Sequence, residues 1–219
     1  MELFLLVLLG GLVALDSTSF GQFMLSRPIV AGALAGAVLG DPVTGLLVGA
    51  FLDLFILPVL PVGGARFHEG GPSAVVASAV AVSGGGPGAW VLGLVAGLLW
   101  SVLGGMSVRG LRRWNGRLAP DPNDRSLTEA RIVRRHLLAM GADFTRGIGL
   151  TAIGFAVWLP WAVHAAAAWP LGAMETVALA ALASAVPLGM LLSILGPSSR
   201  RLGYLVLGIL LGLLPTLFP

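Results

Sequence analysis

Residues 28 to 58 read PIVAGALAGAVLGDPVTGLLVGAFLDLFILP, a stretch apolar nearly throughout that nonetheless carries two aspartates, Asp41 and Asp53, and is broken at its centre by Gly-Asp-Pro. Asp53, in GAFLDLFIL, has four apolar or small residues on either side and so lies well inside an apolar segment. An ionisable group at such a depth costs about 2.5 to 3.5 kcal/mol on insertion scales and is by default functional. Asp53 is therefore a candidate for a substrate or coupling site, with a structural hydrogen-bond anchor as the plainer reading. Asp41 sits in the Gly-Asp-Pro break, where a turn or helix-cap role is the simpler account.

The rest of the chain identifies the solvent. Of 219 residues, 57% are hydrophobic and only 11% charged, with a mean hydropathy of +0.95; a soluble domain is about 25% charged. This composition is that of an integral membrane protein. The opening run MELFLLVLLGGLVALD has Glu2 and no basic start or small-residue exit, so it reads as a first membrane segment and not as a signal peptide. There is no cysteine, hence no disulfide framework and no thiolate chemistry. Every basic residue is Arg, and nine of the thirteen fall between Arg109 and Arg146. The positive-inside rule reads this region as a cytoplasmic loop. A nucleic-acid patch is disfavoured, because aromatic residues barely interleave with the arginines beyond Trp114. Within the loop, DPNDRSLTEARIVRRHLLAM suggests an amphipathic helix capped by Ser126 with Glu129 three residues on.

Three regions follow: an N-terminal membrane region (1–106), the Arg-rich loop (107–146) and C-terminal membrane helices (147–219), with apolar segments at 147–169, 174–196 and 202–218. The N-terminal region is irregular. It is interrupted at GDP (40–42), at LPVLPVGGARFHEGGP (57–72) and at SGGGPG (83–88). The piece 73–82 would span only about 15 Å as a helix against a hydrocarbon core of roughly 30 Å. The expected fold is an all-α polytopic membrane protein with spanning helices and re-entrant or broken helical hairpins in its N-terminal half. Irregular backbone at membrane depth survives only where protein covers it or where it lines a wet cavity, and in transporters it marks the substrate site.

The remaining polar candidates are Asp16, in ALDSTSFGQ, and Glu69, in a Gly-rich break beside Arg66 and His68; function and plain loop exposure both remain open for them. His68 and His136 read as solvated and His164 as lying near a membrane edge, so three scattered histidines make no metal site. No catalytic residue, metal or cofactor is expected. Without lysine there is no Walker-type phosphate loop, and the chain does not power transport by itself.

The run from Leu15 to Gly64 resembles the N-terminal half of the IIC membrane subunits of the mannose/fructose/sorbose family of the bacterial phosphoenolpyruvate-dependent phosphotransferase system. The shared pattern is Arg27-Pro28, then LGDPVTGLLVGA (39–50), an acidic residue four after Gly49, here Asp53, and PVGG at 61–64. From Pro72 onward the likeness is one of hydropathy and length. The resemblance implies a permease in the bacterial cytoplasmic (inner) membrane that pairs with a IID subunit, as a homo-oligomer of IIC–IID pairs. It would move a hexose or amino-hexose inward by an elevator-like motion, for phosphorylation by a soluble IIB subunit charged by IIA. The IIC subunit would carry no phosphohistidine. The family's sugar-contacting positions match Asp53 and Glu69, while Gln22 and Asp16 lie in its polar stretch before Arg-Pro. Here RFHEGGP (66–72) stands where the family has an apolar residue followed by Pro-Pro-Asp, a departure that bears on sugar identity and on transport. Two other readings stay open. One is a non-transporting assembly or sensory subunit of the same fold. The other is an intramembrane aspartyl protease, since LGD at 39–41 is similar to a Gly-x-Gly-Asp signature, although Val38 stands at the first Gly.

Overall fold

In the computed structural model, residues 1–58, 68–119 and 128–196 are described, with 203, 204 and 206 near the C terminus. The PVGG motif at 61–64, Arg66, Ser126, Arg200, Arg201 and nearly all of the apolar segment at 202–218 lie outside the described residues.

The Gly-Asp-Pro break closes one helix and opens the next. Helix α2 (Pro28–Val38) ends as Gly40 turns to φ +82°, which a residue without Cβ adopts at no cost. The Gly40 amide donates to Ala37 O and the Asp41 amide to Gly36 O, the paired bonds of a Schellman motif. Asp41 then caps α3 (Pro42–Ile56): its carboxylate accepts from the Thr44 amide at 3.0 Å, and Pro42 occupies the first turn, where a missing N–H leaves no bond unmade. That bond from Thr44 holds the Asp41 carboxyl below the usual carboxylate range. The cap reading of Asp41 thus stands.

Helices α2 and α3 form a hairpin closed through glycine. A Cβ on Gly45 would lie 2.3 Å from Gly32 O and 2.7 Å from the Gly36 Cα, so the two backbones touch where side chains would otherwise separate them. This hairpin packs on α4 (Gly70–Gly84), every residue of which from Gly71 to Ala81 is buried. Sequence reasoning finds this piece too short to cross, and its surroundings explain how it survives. It is enclosed by α1 (Glu2–Thr18), α2, α3, α5 (Gly86–Leu118) and α6 (Glu129–Trp158). At its entry the Glu69 amide donates to Ser101 O of α5 at 3.0 Å.

The core gathers Leu6 and Val13 of α1, Val48 and Leu52 of α3, Val75 and Val76 of α4, Trp100 of α5 and Phe155 of α6. The Trp100 indole donates to Leu150 O at 2.9 Å and ties α5 to α6.

Three helical stretches among the described residues are long and apolar enough to cross a membrane: Gly86–Leu118, Glu129–Ala168 and Ala173–Ile194. The second is interrupted by a 3-10 turn, Leu159–Trp161, before α7 (Ala162–Ala168). The third belongs to α8 (Ala173–Leu195), which packs on α3 and α5 and leaves Leu182, Val186 and Met190 exposed. At 33 and 30 residues, α5 and α6 rise about 50 and 45 Å, well beyond a hydrocarbon core of about 30 Å. Their arginines cluster on the ends that meet near the 119–128 connection. The expected amphipathic helix is therefore no separate element: it is the first half of α6, begun at Glu129 with Thr128 as N-cap.

Candidate functional site

Where α1 ends, α2 begins and the chain enters α4, the helices leave a cavity of about 350 Å³. Its wall carries Ser17 and Thr18 from α1, Gln22 and Arg27 from the connection to α2, Asp53 from α3, His68 and Glu69 from the break before α4, and Arg112 from α5. The broken helices thus surround a polar chamber inside an otherwise apolar protein.

Asp53 faces this chamber with its side chain 12% exposed, and Arg27 Nη2 lies 2.8 Å from its Oδ1. Arg27 is held there because it immediately precedes Pro28, the first residue of α2, so its backbone is extended and its side chain projects across the top of α3. The Arg27 side chain is nearly half exposed and lines the chamber.

Glu69 lies at the chamber floor and is fully buried. Arg146 Nη2 and Nη1 donate to its two carboxylate oxygens at 2.5 and 2.7 Å, a bidentate pairing. The same guanidinium donates to Asp143 Oδ1 from Nε and Nη2, at 3.0 and 2.8 Å, and to the Ser107 hydroxyl at 2.8 Å. All five guanidinium hydrogens have acceptors, which is the condition under which a buried cation is tolerated. Asp143 is buried as well, and its Oδ2 accepts from the Thr18 and Ser19 hydroxyls at the end of α1. Gly104 makes room for the assembly, because a Cβ there would meet Glu69 Oε2 at 2.7 Å.

Asp16 is also buried, with its carboxylate turned away from solvent: it accepts from the Phe23 amide at 2.6 Å and the Ser26 amide at 2.8 Å. These bonds gather the connection from α1 to α2 into a fixed loop. Within it Gln22 and Met24 have φ of +53° and +63°, a left-handed region costing residues with a Cβ about 1 kcal/mol or more. The loop is held against that cost, and Gln22 is presented to the chamber.

Of the four residues singled out in the sequence, Asp53, Gln22 and Glu69 are brought to one cavity, and Asp16 braces the loop that forms part of its wall. Sequence reasoning missed several members. Arg146 closes the Arg-rich stretch read as a loop and Asp143 lies three residues before it, yet Asp143 is buried and the Arg146 side chain is only 11% exposed. A signal existed: they are an i, i+3 pair entering a Gly- and Ile-rich apolar run, where unpaired charges are not expected. His68, read as solvated, is partly buried and its Nδ1 lies 2.7 Å from Ser101 Oγ.

Fold and cavity together define a multi-pass membrane protein with a polar chamber built at interrupted helices. Residues 1–112 match the sequence profile of the sorbose-specific IIC component of the phosphotransferase system, and the chain belongs to that family of sugar transport subunits. Among curated proteins none matches the sequence. A solved structure described only as "Structure of membrane protein" is similar at 17% identity with a TM-score of 0.71, covering 97% of this chain and 86% of its own, a likeness of fold.

Proposed function

We propose that this chain is the IIC subunit of a bacterial inner-membrane permease that moves a hexose or amino-hexose inward for phosphorylation by a soluble IIB subunit, itself charged by IIA. The observation that carries this reading is the chamber in which Arg27, Asp53, Gln22 and His68 converge. Its volume falls in the range of small-molecule pockets, about 300 to 1,000 Å³, and its mixture of donors and acceptors on apolar helices suits vicinal hydroxyls.

In this proposal Asp53 accepts from sugar hydroxyls while Arg27 orients it, and Gln22 contributes an amide from the strained loop. Glu69 shapes the floor through Arg146, and Asp16 fixes the loop. The 1–106 region holds most of the site, with Arg112, Asp143 and Arg146 added from 107–146; the Arg-rich ends of α5 and α6 in that stretch face the cytoplasm, and 147–219 completes the membrane body. A IID subunit pairs with this one, in a homo-oligomer of such pairs, and an elevator-like displacement carries the chamber between faces. The exposed apolar side of α8 offers surface for lipid or for that subunit.

The test is phosphoenolpyruvate-dependent phosphorylation of sorbose, fructose, mannose and glucosamine by membrane vesicles that contain this chain with its IID partner and the soluble components. Accumulation of one phosphosugar supports the permease. Intact complex with no phosphosugar favours the second reading, an assembly or sensory subunit, for which the RFHEGGP departure at 66–72 is the specific observation.

A further inference from the structure

The Ser101 hydroxyl has a single proton, and two close contacts decide where it goes. Ser101 Oγ lies 2.7 Å from the Leu98 carbonyl oxygen and 2.7 Å from His68 Nδ1. A carbonyl oxygen can only accept, so at that separation the hydroxyl proton points at Leu98. Ser101 then meets His68 as an acceptor, and Nδ1 must carry the imidazole proton. The neutral ring so oriented leaves a bare lone pair on Nε2, and His68 lines the chamber.

We propose that His68 Nε2 accepts a hydrogen bond from a hydroxyl of the sugar bound in this chamber, with Ser101 as the positioning residue that fixes the tautomer. The inference rests on the sugar-binding reading above and adds a contact to it. It also bears on substrate class. A bare ring nitrogen pairs with an O–H or N–H donor and repels a carboxylate or phosphate, so the chamber suits a neutral or amino sugar at this point and not a sugar acid or phosphosugar.

The side chains that share the chamber with the ring carry both signs of charge. Arg27 from the start of α2 and Arg112 from α5 line the same chamber. Asp53 of α3 is engaged by Arg27, and Glu69, next in the chain, is engaged by Arg146 of α6 together with Asp143. From α1 come only the hydroxyls of Ser17 and Thr18. Burial pushes the His68 imidazole down from its ordinary value and so favours the neutral ring. Because binding needs the unprotonated ring, affinity is full above the pKa of His68 and falls as pH drops through it.

Two measurements on the full complex in lipid test this. The first is nitrogen NMR of protein labelled with ¹⁵N-histidine, in which the His68 signals are identified among the three histidines by their loss in His68→Asn. At neutral pH the expected result is a protonated Nδ1 and an unprotonated Nε2; the reverse tautomer overturns the proposal. The second is calorimetry with sorbose, fructose, mannose and glucosamine between about pH 8 and pH 5. His68→Asn can donate its amide to Ser101 but is too short to place an acceptor at the Nε2 position and does not titrate, so binding should weaken about fivefold to tenfold and lose its acid-side decline. A variant that binds like the parent with the same pH profile gives His68 a purely structural role and overturns the proposal. A parent that binds none of the four sugars defeats the underlying transport reading instead, and the two failures are told apart by that control.

Discussion

Arg146 must satisfy two carboxylates at once. It lies buried between two buried carboxylates, each of which depends on it. Removing it leaves Glu69 and Asp143 facing one another with no cation, and breaking a buried pair in this way costs about 3 to 5 kcal/mol. Arg146→Ala is therefore expected to lower the melting temperature of the detergent-solubilised protein sharply or to abolish its accumulation in the membrane. Arg146→Lys should recover only part of the loss, since an ammonium cannot reach both oxygens of Glu69, Asp143 and Ser107 at once. Equal stability of the alanine variant and the parent, read by thermal melting, would contradict the assignment. The sequence made Asp53 legible because its neighbours on both sides are apolar, so depth could be inferred locally. It did not make the Glu69–Arg146 pair legible, because the partners lie 77 positions apart and Arg146 follows other arginines of which Arg131 and Arg134 are exposed. His68 was obscured for a similar reason: a ring flanked by charge and glycine gives no local sign that Ser101, 33 positions away, will hold it.

Among the elements, the α2–α3 hairpin ties sequence to architecture most directly. Gly32, Gly36 and Gly45 permit backbone contact, and an added methyl at Gly45 has no space to enter. Gly45→Ala should destabilise the protein by about 1 to 3 kcal/mol, the usual range for overpacking, and Gly45→Val by more. Thermal melting would detect either change, and Gly40 offers a control of different kind, since a Cβ there meets no neighbour but strains a positive φ. Asp41→Ala removes the α3 cap at about 1 kcal/mol, whereas Asp41→Asn keeps an acceptor for the Thr44 amide and should cost little. Because the folded carboxyl is held below its ordinary value, its contribution is present above the unfolded pKa and fades as pH falls through the folded one. Parent and Asp41→Asn melting profiles should thus differ in their acid-side slope. The breaks at 40–42 and 83–88 could be read from Gly and Pro, and so could a cap at Asp41. The burial of α4 from Gly71 to Ala81 could not, because a short, largely apolar piece looks alike whether lipid or protein surrounds it.

At the scale of the whole molecule, the Arg-rich ends of α5 and α6 give the orientation a direct test. With no native cysteine, a single one at Arg117→Cys reports its side of the membrane without background. It should react with a membrane-impermeant maleimide in inside-out vesicles and be protected in intact cells; the opposite pattern would invert the topology. The family assignment rests on residues 1–112, the same part of the chain that builds most of the chamber, while α6 supplies the Arg146 that anchors its floor. The central claim is that this chamber binds a sugar through Asp53. The most direct measurement is calorimetric titration of this chain, purified with the IID subunit proposed as its partner, against sorbose, fructose, mannose and glucosamine, beside Asp53→Asn. Saturable binding of one sugar by the parent, weakened about tenfold or more in the variant, is the predicted result. Sugar binding that the variant retains in full would contradict the role of Asp53, and a stable complex blind to every sugar would contradict the chamber as a transport site.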